Sequence, residues 1–412
     1  MIGLVADDFT GATDVAAGLR RVGLRTALVF DVPAAEMVLP ECDAIVIGLK
    51  TRTVPAAEAV AQSLAAAGWL REQGVQQYYF KYCSTFDSTA QGNIGPVADA
   101  LLEFTGSPVT FVTPASPEHG RTVYQGHLFV GDVLLSDSPM RHHPLTPMTD
   151  PDIRAVLATQ TGLKVGHLPL PVVRAGEEAV RAAVQQAQDE GVRYLVTDVV
   201  QDEDLDVLAR AGQHLTLHTG GAGLGRALGN VLLGREAGQS ESELPLGPGL
   251  ALAGSCSAAT LRQVAYARKR MPSHRIDPVA TPDAEQLRRD ALEWLHKHQD
   301  DEYVLIYSSA PAEERGDNPL GPDTANVLES ILATVARAAA EAGRARIVVA
   351  GGETSGAVVQ ALGVQAAVVA SEADTGVPWI LPVDGENPAL LLKSGNFGRD
   401  DLLVRGQEGT RR

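Results

Sequence analysis

The stretch MIGLVADDFTGATD, Met1–Asp14, decides the reading of the fold. Its apolar run, Ile2, Leu4 and Val5, ends abruptly in two adjacent acids, Asp7 and Asp8. A Gly-containing turn at Thr10-Gly11 is expected next, and an amphipathic helix from near Ala12. Strand, turn and helix, with carboxylates at the carboxyl end of the strand, describe the opening of an open α/β sheet, which binds its ligands there. Two neighbouring carboxylates repel, so at a buried strand end at least one pKa rises unless a cation or donor compensates. Folding gains nothing obvious from that arrangement, which therefore points to chemistry. The competing reading is that Asp8 or Thr10 does no more than cap the helix.

The alternation continues outward. Strands are expected at Ile2–Ala6, Thr26–Phe30, Ala44–Ile47, Gln77–Lys81, Val109–Val112 and Tyr194–Thr197, with Ala-rich helical stretches such as Pro55–Ala67 and Glu177–Asp189 between them. Such a pattern builds a mostly parallel sheet with helices on both faces. Residues 234–249, GREAGQSESELPLGPG, are polar, rich in Gly, Pro and Ser and without periodicity, and read as a linker. Beyond it, strands are expected at Ala251–Ala253, Tyr303–Tyr307, Arg346–Ala350, Trp379–Pro382 and Ala389–Leu392. Helices are expected at Ala258–Arg270, Asp283–His298, Thr324–Ala342 and Ser355–Leu362. The expected division is a domain at 1–233, the linker at 234–249, a domain at 250–405 and a frayed tail at 406–412. At 412 residues the chain exceeds the usual size of one core, which supports two domains.

Composition narrows the class. Hydrophobic residues make up 45% and charged residues 21%, as in an ordinary globular protein. The net charge of −17 argues against nucleic acid and anionic membranes as partners, though local basic residues still admit a small anionic substrate. Cys42, Cys83 and Cys256 are scattered and offer neither a disulfide framework nor a zinc pattern. No apolar stretch approaches ~20 residues, so no membrane span is expected. Residue 2 already lies in an expected strand, which leaves no room for a signal peptide and makes the cytoplasm the expected compartment.

Arg346–Ala350 runs directly into Gly351-Gly352-Glu353-Thr354-Ser355-Gly356, with a helix behind it. A strand feeding a Gly-rich turn at a helix N-terminus is an anion cradle, because glycine lets backbone N–H groups approach phosphate oxygens and the helix dipole adds positive charge. It is neither a Walker A motif nor GxGxxG, and a structural tight turn is the alternative. Two similar elements support the cradle: Ala251-Leu252-Ala253-Gly254 opening into Ser255-Cys256-Ser257, and Leu391-Leu392-Lys393 ending at Ser394-Gly395-Asn396-Phe397-Gly398. In one sheet the three turns converge on a nucleotide pocket, with Lys393 either a phosphate partner or a solvated strand-end lysine. Asp374-Thr375-Gly376-Val377-Pro378 either rims that pocket or is an ordinary turn.

In the first half, Lys81-Tyr82-Cys83-Ser84-Thr85-Phe86-Asp87-Ser88 follows a strand and is dense in hydrogen-bonding side chains. Arg52 sits just after the third strand. Arg52 and Lys81 are candidates for a substrate carboxylate near Asp8, since Arg matches carboxylates bidentately. The alternative is that Arg52 pairs with an acid of its own domain. Between Pro114 and Thr149 lie His119, His127, His142, His143, Arg121 and Arg141, with a β-hairpin expected of Tyr124–Val130 and Val133–Leu135 around Gly131-Asp132. The histidines lack zincin spacing, so this region reads as a loop closing over substrate, with the histidines and Arg121 as hydrogen-bond donors, rather than as a metal site.

With these motifs in view, the chain resembles the four-carbon acid sugar kinase family along nearly its whole length. The resemblance lies in ADDFTGATD (Ala6–Asp14), KYCSTFDS (Lys81–Ser88), GSCS (Gly254–Ser257), GGETSG (Gly351–Gly356) and LKSGNFG (Leu392–Gly398). GRTVYQGHLFV (Gly120–Val130) and HPLTPMTD (His143–Asp150) are most similar to the 3-oxo-tetronate branch. The resemblance implies an α/β protein of two domains, each a mostly parallel sheet flanked by helices. The N-terminal domain would bind a sugar acid and the C-terminal one a nucleotide, with the active site in the cleft between them. It implies transfer of the ATP γ-phosphoryl group, as Mg-ATP, to the 4-hydroxyl of 3-oxo-tetronate, with threonate or erythronate as the alternative acceptors. By the same likeness Ser255, Ser257, Gly351, Gly352, Glu353, Thr354, Ser355, Gly356 and Gly395 hold ATP, and Asp8, Arg52, Lys81 and Asp87 surround the acid sugar. The expected partners are that acid and ATP, with no nucleic acid and no membrane; a homo-oligomer is compatible with the sequence.

Phosphoryl transfer is mostly positioning and charge stabilisation. A carboxylate suits the hydroxyl acceptor, so Asp8 or Asp7 is expected to take its proton while the other holds Mg²⁺ through water. No resident metal site of the protein's own is expected. Two rival classes share parts of these motifs: a non-catalytic nucleotide or sugar-acid sensor, and a metal-dependent aldolase or hydrolase using the His-rich stretch.

Overall fold

The structure is a computed structural model that describes residues 1–143, 146–233, 244–317 and 319–408. The chain divides into two compact units, Met1–Gln239 and Ser240–Arg412. Most of the expected linker, residues 234–243, lies outside the described residues.

In the first unit the chain forms β1 (Ile2–Ala6), β2 (Thr26–Phe30), β3 (Ala44–Gly48), β4 (Gln77–Lys81) and β5 (Thr110–Thr113). It continues through β6 (Arg121–Tyr124), β7 (His127–Val130) and β8 (Val133–Leu134) to β9 (Lys164–Leu168), β10 (Val192–Thr197) and β11 (Leu217–Gly220). The main sheet of this unit runs β2-β3-β1-β4-β11-β5-β10-β9, all parallel. Every residue of β1, β2 and β3 is buried, as a parallel sheet covered on both faces requires. From β1 the chain crosses to β2 on one side, and from β3 it returns past β1 to β4. Right-handed crossovers in opposite directions place helices Phe9–Arg21 and Ala56–Glu72 on opposite faces. Phe9–Arg21 packs on Ala222–Leu233 closely enough that a Cβ on Gly225 would stand 2.6 Å from Val15 Cγ2.

Helix Phe9–Arg21 starts three residues earlier than the sequence suggests, with Asp8 as its N-cap. The expected Thr10-Gly11 turn is the helix's first turn. Gly11 is small there for another reason: a Cβ would run into the Asp8 carboxylate and stand 3.1 Å from Lys81 Nζ.

The expected hairpin around Gly131-Asp132 is present, pairing β7 with β8, and a second one precedes it. Gln125 (φ 51°) and Gly126 (φ 74°) form the two-residue turn between β6 and β7, so the expected single strand Tyr124–Val130 is split. Asp198, fully buried at the end of β10, fastens that turn to the sheet. Its carboxylate accepts from the N–H groups of Gln125 and Gly126, each at 2.9 Å, from Leu170 N at 3.1 Å and from His167 Nε2 at 2.8 Å. Burial opposes its charge, and these donors outweigh burial and hold the carboxyl below its ordinary pKa.

The second unit contributes β12 (Gly249–Ala253), β13 (Ser273–Arg275), β14 (Tyr303–Tyr307), β15 (Arg346–Ala350), β16 (Ala366–Asp374), β17 (Val377–Pro382) and β18 (Ala389–Lys393). They run in the order β13-β14-β12-β15-β18-β17-β16, parallel except for β17, which is antiparallel to both neighbours. Trp379, Leu391, Val348 and Tyr307 belong to its core. Helix Leu402–Glu408 carries regular structure past the expected start of the tail at 406, and residues 409–412 lie outside the described set. Among the described residues, no helix is long and apolar enough to cross a membrane.

Candidate active site

In an open α/β sheet the loops at two neighbouring strand ends part where the chain leaves them in opposite directions, and ligands bind in that crevice. In the first unit this happens at β1 and β4, which are neighbours: β1 leads to β2 on one side, β4 to β5 on the other. Asp7 and Asp8 follow β1. Lys81 ends β4, and Cys83–Ser88 follow it.

Arg52, from the loop after β3, grips Asp7 through both arms of its fork, Nε to Oδ2 at 2.9 Å and Nη2 to Oδ1 at 2.8 Å. Its Nη2 also lies 2.8 Å from Asp8 Oδ1. The same Asp8 carboxylate caps the helix, accepting from Gly11 N and Thr10 Oγ1, each at 2.8 Å. The two acids respond differently. Burial raises the pKa of Asp7 despite Arg52, and the charge of Asp8 adds to the rise. Around Asp8, Arg52, Lys81, Thr10 and Gly11 overcome burial and hold the carboxyl below its ordinary value. The expectation that Arg52 holds a substrate carboxylate thus meets a competitor, since these arms of its fork are engaged by acids of its own unit. Asp8 caps its helix and is ion-paired as well.

Lys81 is 3% exposed and donates to the Tyr82 carbonyl at 2.9 Å. Asp14, which the sequence reading did not single out, joins this cluster. Burial raises its pKa, and the charges of Lys81 and His119 act on it. Asp87 Oδ1 and Arg121 Nε are both buried without a hydrogen-bond partner among the described residues. The four histidines of the expected loop make separate local contacts where bonds are seen: His119 with Ser116 Oγ, His127 with the Gln125 carbonyl, His143 with Thr146. Among the described residues no group of three His, Cys, Asp or Glu side chains is placed to hold a metal.

In the second unit the corresponding crevice lies between neighbours β12 and β15, whose chains leave toward opposite edges. The Gly254–Ser257 and Gly351–Gly356 motifs stand on its two sides. Gly351 alone makes the turn, at φ 135°, a conformation that favours glycine. Helix Gly352–Ala361 begins at once, three residues earlier than expected, so the rest of the motif is its first turn. No side chain caps that helix, and Gly352 and Glu353 are exposed. Its leading N–H groups are therefore presented as an anion site.

The three expected turns do converge. A Cβ on Gly351 would stand 3.0 Å from Thr354 Oγ1 and 3.1 Å from Ser255 N, and one on Gly395 would stand 2.5 Å from Ser255 Oγ. Ser257 Oγ donates to the Gly395 carbonyl and, as N-cap, accepts from Thr260 N at 3.2 Å. The Ser355 hydroxyl is buried without a hydrogen-bond partner among the described residues. This backbone-lined, glycine-dependent concavity fits a nucleotide's phosphates.

Lys393 turns inward. At 1% exposure, its ammonium donates to Thr260 Oγ1 (2.9 Å), Gln263 Oε1 (2.7 Å) and the carbonyls of Gly395 (2.9 Å) and Phe397 (3.2 Å). Burial lowers its pKa to about 7. Neither a phosphate partner nor a solvated lysine describes it: it fastens the Ser394–Gly398 loop. Asp374–Val377 is a β-hairpin turn, and Asp374 accepts from Arg399 N at 2.9 Å just beyond that loop.

Beside Gly254 and Cys256 opens a cavity of about 400 Å³, walled by Pro278, Ala310, Pro319 and Leu328, with the charged side chains of Arg275, Glu314, Arg315 and Glu329 also on its lining. Apolar walls with a few polar and charged groups next to a phosphate cradle suit a nucleoside. The sequence reading missed these wall residues because Pro278, Ala310 and Pro319 lie on irregular segments after β13 and β14 with no motif of their own, and Leu328 lies in the first turns of helix Thr324–Glu341 with nothing to mark it. The only available hint was that both segments follow strand ends of the same sheet.

Comparison with known proteins agrees with both halves of the geometry. Residues 2–228 match the model of a sugar-binding N-terminal domain, and residues 250–403 that of a nucleotide-binding C-terminal domain. A 3-oxo-tetronate kinase of Burkholderia multivorans is 49% identical over 98% of this chain and 96% of its own length. A 3-oxo-tetronate kinase of Pseudomonas fluorescens is 48% identical over 98% of this chain and 96% of its own length. A solved structure from Salmonella typhimurium LT2 matches with a TM-score of 0.91 at 41% identity, covering 99% of each chain. The chain belongs to the four-carbon acid sugar kinase family, in which a sugar-binding N-terminal domain is joined to a nucleotide-binding C-terminal domain.

Proposed function

We propose that this chain is an ATP-dependent kinase that phosphorylates 3-oxo-tetronate on its 4-hydroxyl, giving 3-oxo-tetronate 4-phosphate. The observation that carries the reading is the end-to-end match to 3-oxo-tetronate kinases in a chain whose two sheet crevices hold an acid–base cluster and an uncapped, glycine-turned helix N-terminus.

ATP supplies the phosphoryl group. Its phosphates lie against the N–H groups of Gly352, Glu353 and Thr354, with Ser255, Ser257, Ser355, Gly356 and Gly395 completing the cradle. Its base and ribose enter the adjoining cavity. Mg²⁺ arrives on the phosphates, where it keeps most of its water and needs few protein carboxylates. In the first unit Lys81 faces the substrate's carboxylate, and Arg121 and Asp87 face its hydroxyl groups. Arg52 acts through Asp7 and Asp8, fixing both carboxylates and limiting the repulsion between them. The two acids set the local field and hold the end of β1 to its helix.

The test is ATP consumption with Mg²⁺ across 3-oxo-tetronate, D- and L-threonate, D- and L-erythronate and no acceptor. Turnover confined to the 3-oxo acid is expected. Turnover on a 3-hydroxy acid would keep the kinase and change its substrate; ATP binding without turnover on any acid would favour a sensor.

A further inference from the structure

We propose that Asp87 is the catalytic residue that takes the proton from the attacking hydroxyl, with Arg121 Nε holding that hydroxyl's oxygen. The proposal rests on the kinase reading above and names the group that performs its proton transfer.

A proton acceptor needs an oxygen free to receive the proton. Asp8 has Oδ1 on Gly11 N and Arg52 and Oδ2 on Thr10 Oγ1. Asp7 has both oxygens on Arg52. Asp87 differs: its Oδ1 is buried and has no partner among the described residues. Arg121 Nε is in the same condition. The Asp87 charge acts on Arg121, and no hydrogen bond joins the two. An orphaned acceptor and an orphaned donor whose charges interact are both answered by a group that donates and accepts. A hydroxyl does so. The substrate's own carboxylate does not, since Asp87 would repel it.

The local backbone holds Asp87 in place. Phe86 has φ 53°, a left-handed conformation that a bulky residue adopts only where its surroundings over-determine it. Its ring is fully buried, 5.2 Å from that of Tyr82. Phe86 N donates to the Cys83 carbonyl at 3.1 Å, and Asp87 N to Cys83 Sγ at 3.0 Å. Strain at this turn thus aims one carboxylate, from the β4 side of the crevice.

In the step, the 4-hydroxyl oxygen forms a bond to the γ-phosphorus. The bond from that phosphorus to the β,γ-bridging oxygen breaks, and ADP leaves with the electron pair. The hydroxyl proton passes to Asp87 Oδ1 and then to solvent.

The experiment compares wild type, Asp87→Asn, Asp87→Glu and Asp8→Asn in steady-state kinetics with ATP and 3-oxo-tetronate, with calorimetric binding of the acid to each. Asp87→Asn is expected to lower kcat by ~10²-fold or more, the usual cost of losing a general base, while KM and acid binding stay within threefold. Asp87→Glu is expected to recover part of kcat. If Asp87→Asn keeps kcat within threefold and raises KM, Asp87 holds a hydroxyl that does not react and the proposal falls. It also falls if only Asp8→Asn loses kcat at constant KM. A wild type that binds ATP and turns over none of the acids would overturn the kinase reading itself, a different result from either. Acid binding by Asp87→Asn establishes that the variant is folded; if that variant does not fold, Asp87→Glu must show kcat reduced at unchanged KM, and full kcat there would overturn the assignment.

Discussion

Arg52 and Asp7, 45 residues apart in the chain, meet as a two-armed ion pair at 2.9 and 2.8 Å at the end of the first strand. The pair places a cation between two acids that would otherwise repel at the mouth of the sheet, and it joins the loop after β3 to the end of β1.

Arg52→Ala removes the cation and leaves Asp7, whose side chain is 4% exposed, without its partner. Breaking one side of a buried pair costs about 3–5 kcal/mol. Urea unfolding of the variant is expected to show a loss near the lower end of that range, because the Arg52 side chain is 25% exposed. A loss below about 1 kcal/mol would mean that water already screens the pair, as it does at exposed surfaces.

Gly351→Ala tests the cradle. Alanine is strained at φ 135°, and its Cβ would press on Thr354 and on the Ser255 N–H. The expected outcome is a rise of about tenfold or more in KM for ATP, the equivalent of ~1.4 kcal/mol, with the KM for the acid unchanged. Equal rises for both substrates would contradict the separation of the two sites.

Lys393→Met separates a structural lysine from a phosphate ligand. The ammonium donates to two loop carbonyls, Gln263 and Thr260; methionine takes the donor from Gln263 Oε1 and leaves the carbonyls of Gly395 and Phe397 to Ser257, Thr260 and Gln263 alone. A fall of about 2–3 kcal/mol in stability with a raised KM for ATP is expected. Full stability with a collapsed kcat would instead place the ammonium on the transferring phosphate.

His218→Leu is a pH experiment. His218 is fully buried on β11 beside Phe111, and burial lowers its pKa to about 3 from the ordinary 6.5, with His214 adding to the shift. Between those values the unfolded chain binds a proton that the folded one refuses, so His218 makes stability fall as pH falls from 6.5 toward 3. The slope is about 1.4 kcal/mol per pH unit for one proton. Denaturation at pH 7.5 and 5.0 is expected to show a smaller acid loss for the variant than for wild type. Parallel losses would mean that the imidazole protonates in place.

Both helix starts were misread in one direction, and the cause is local. Thr10, Gly11, Gly352 and Thr354 have the low helix propensities of turn residues, so a local reading ends the turn too late. In the fold these residues are helical because the carboxylate of Asp8 caps one helix and Gly351 turns the other. Strand β9, half-exposed at the sheet edge, and β11, with His218 and Thr219 buried in it, gave no apolar run to detect.

By itself the sequence determined the alternating α/β pattern, the acids at the end of β1 and the three glycine turns of the second unit. Apolar runs, helix periodicity and glycine act over a few residues and can be read in order. Only the tertiary structure decided that Arg52 answers Asp7, that Lys393 faces its own loop, and that Asp87 Oδ1 and Arg121 Nε are buried without a partner among the described residues. Those outcomes depend on which neighbours burial brings within hydrogen-bond reach, and residues tens of positions apart carry no local sign of it.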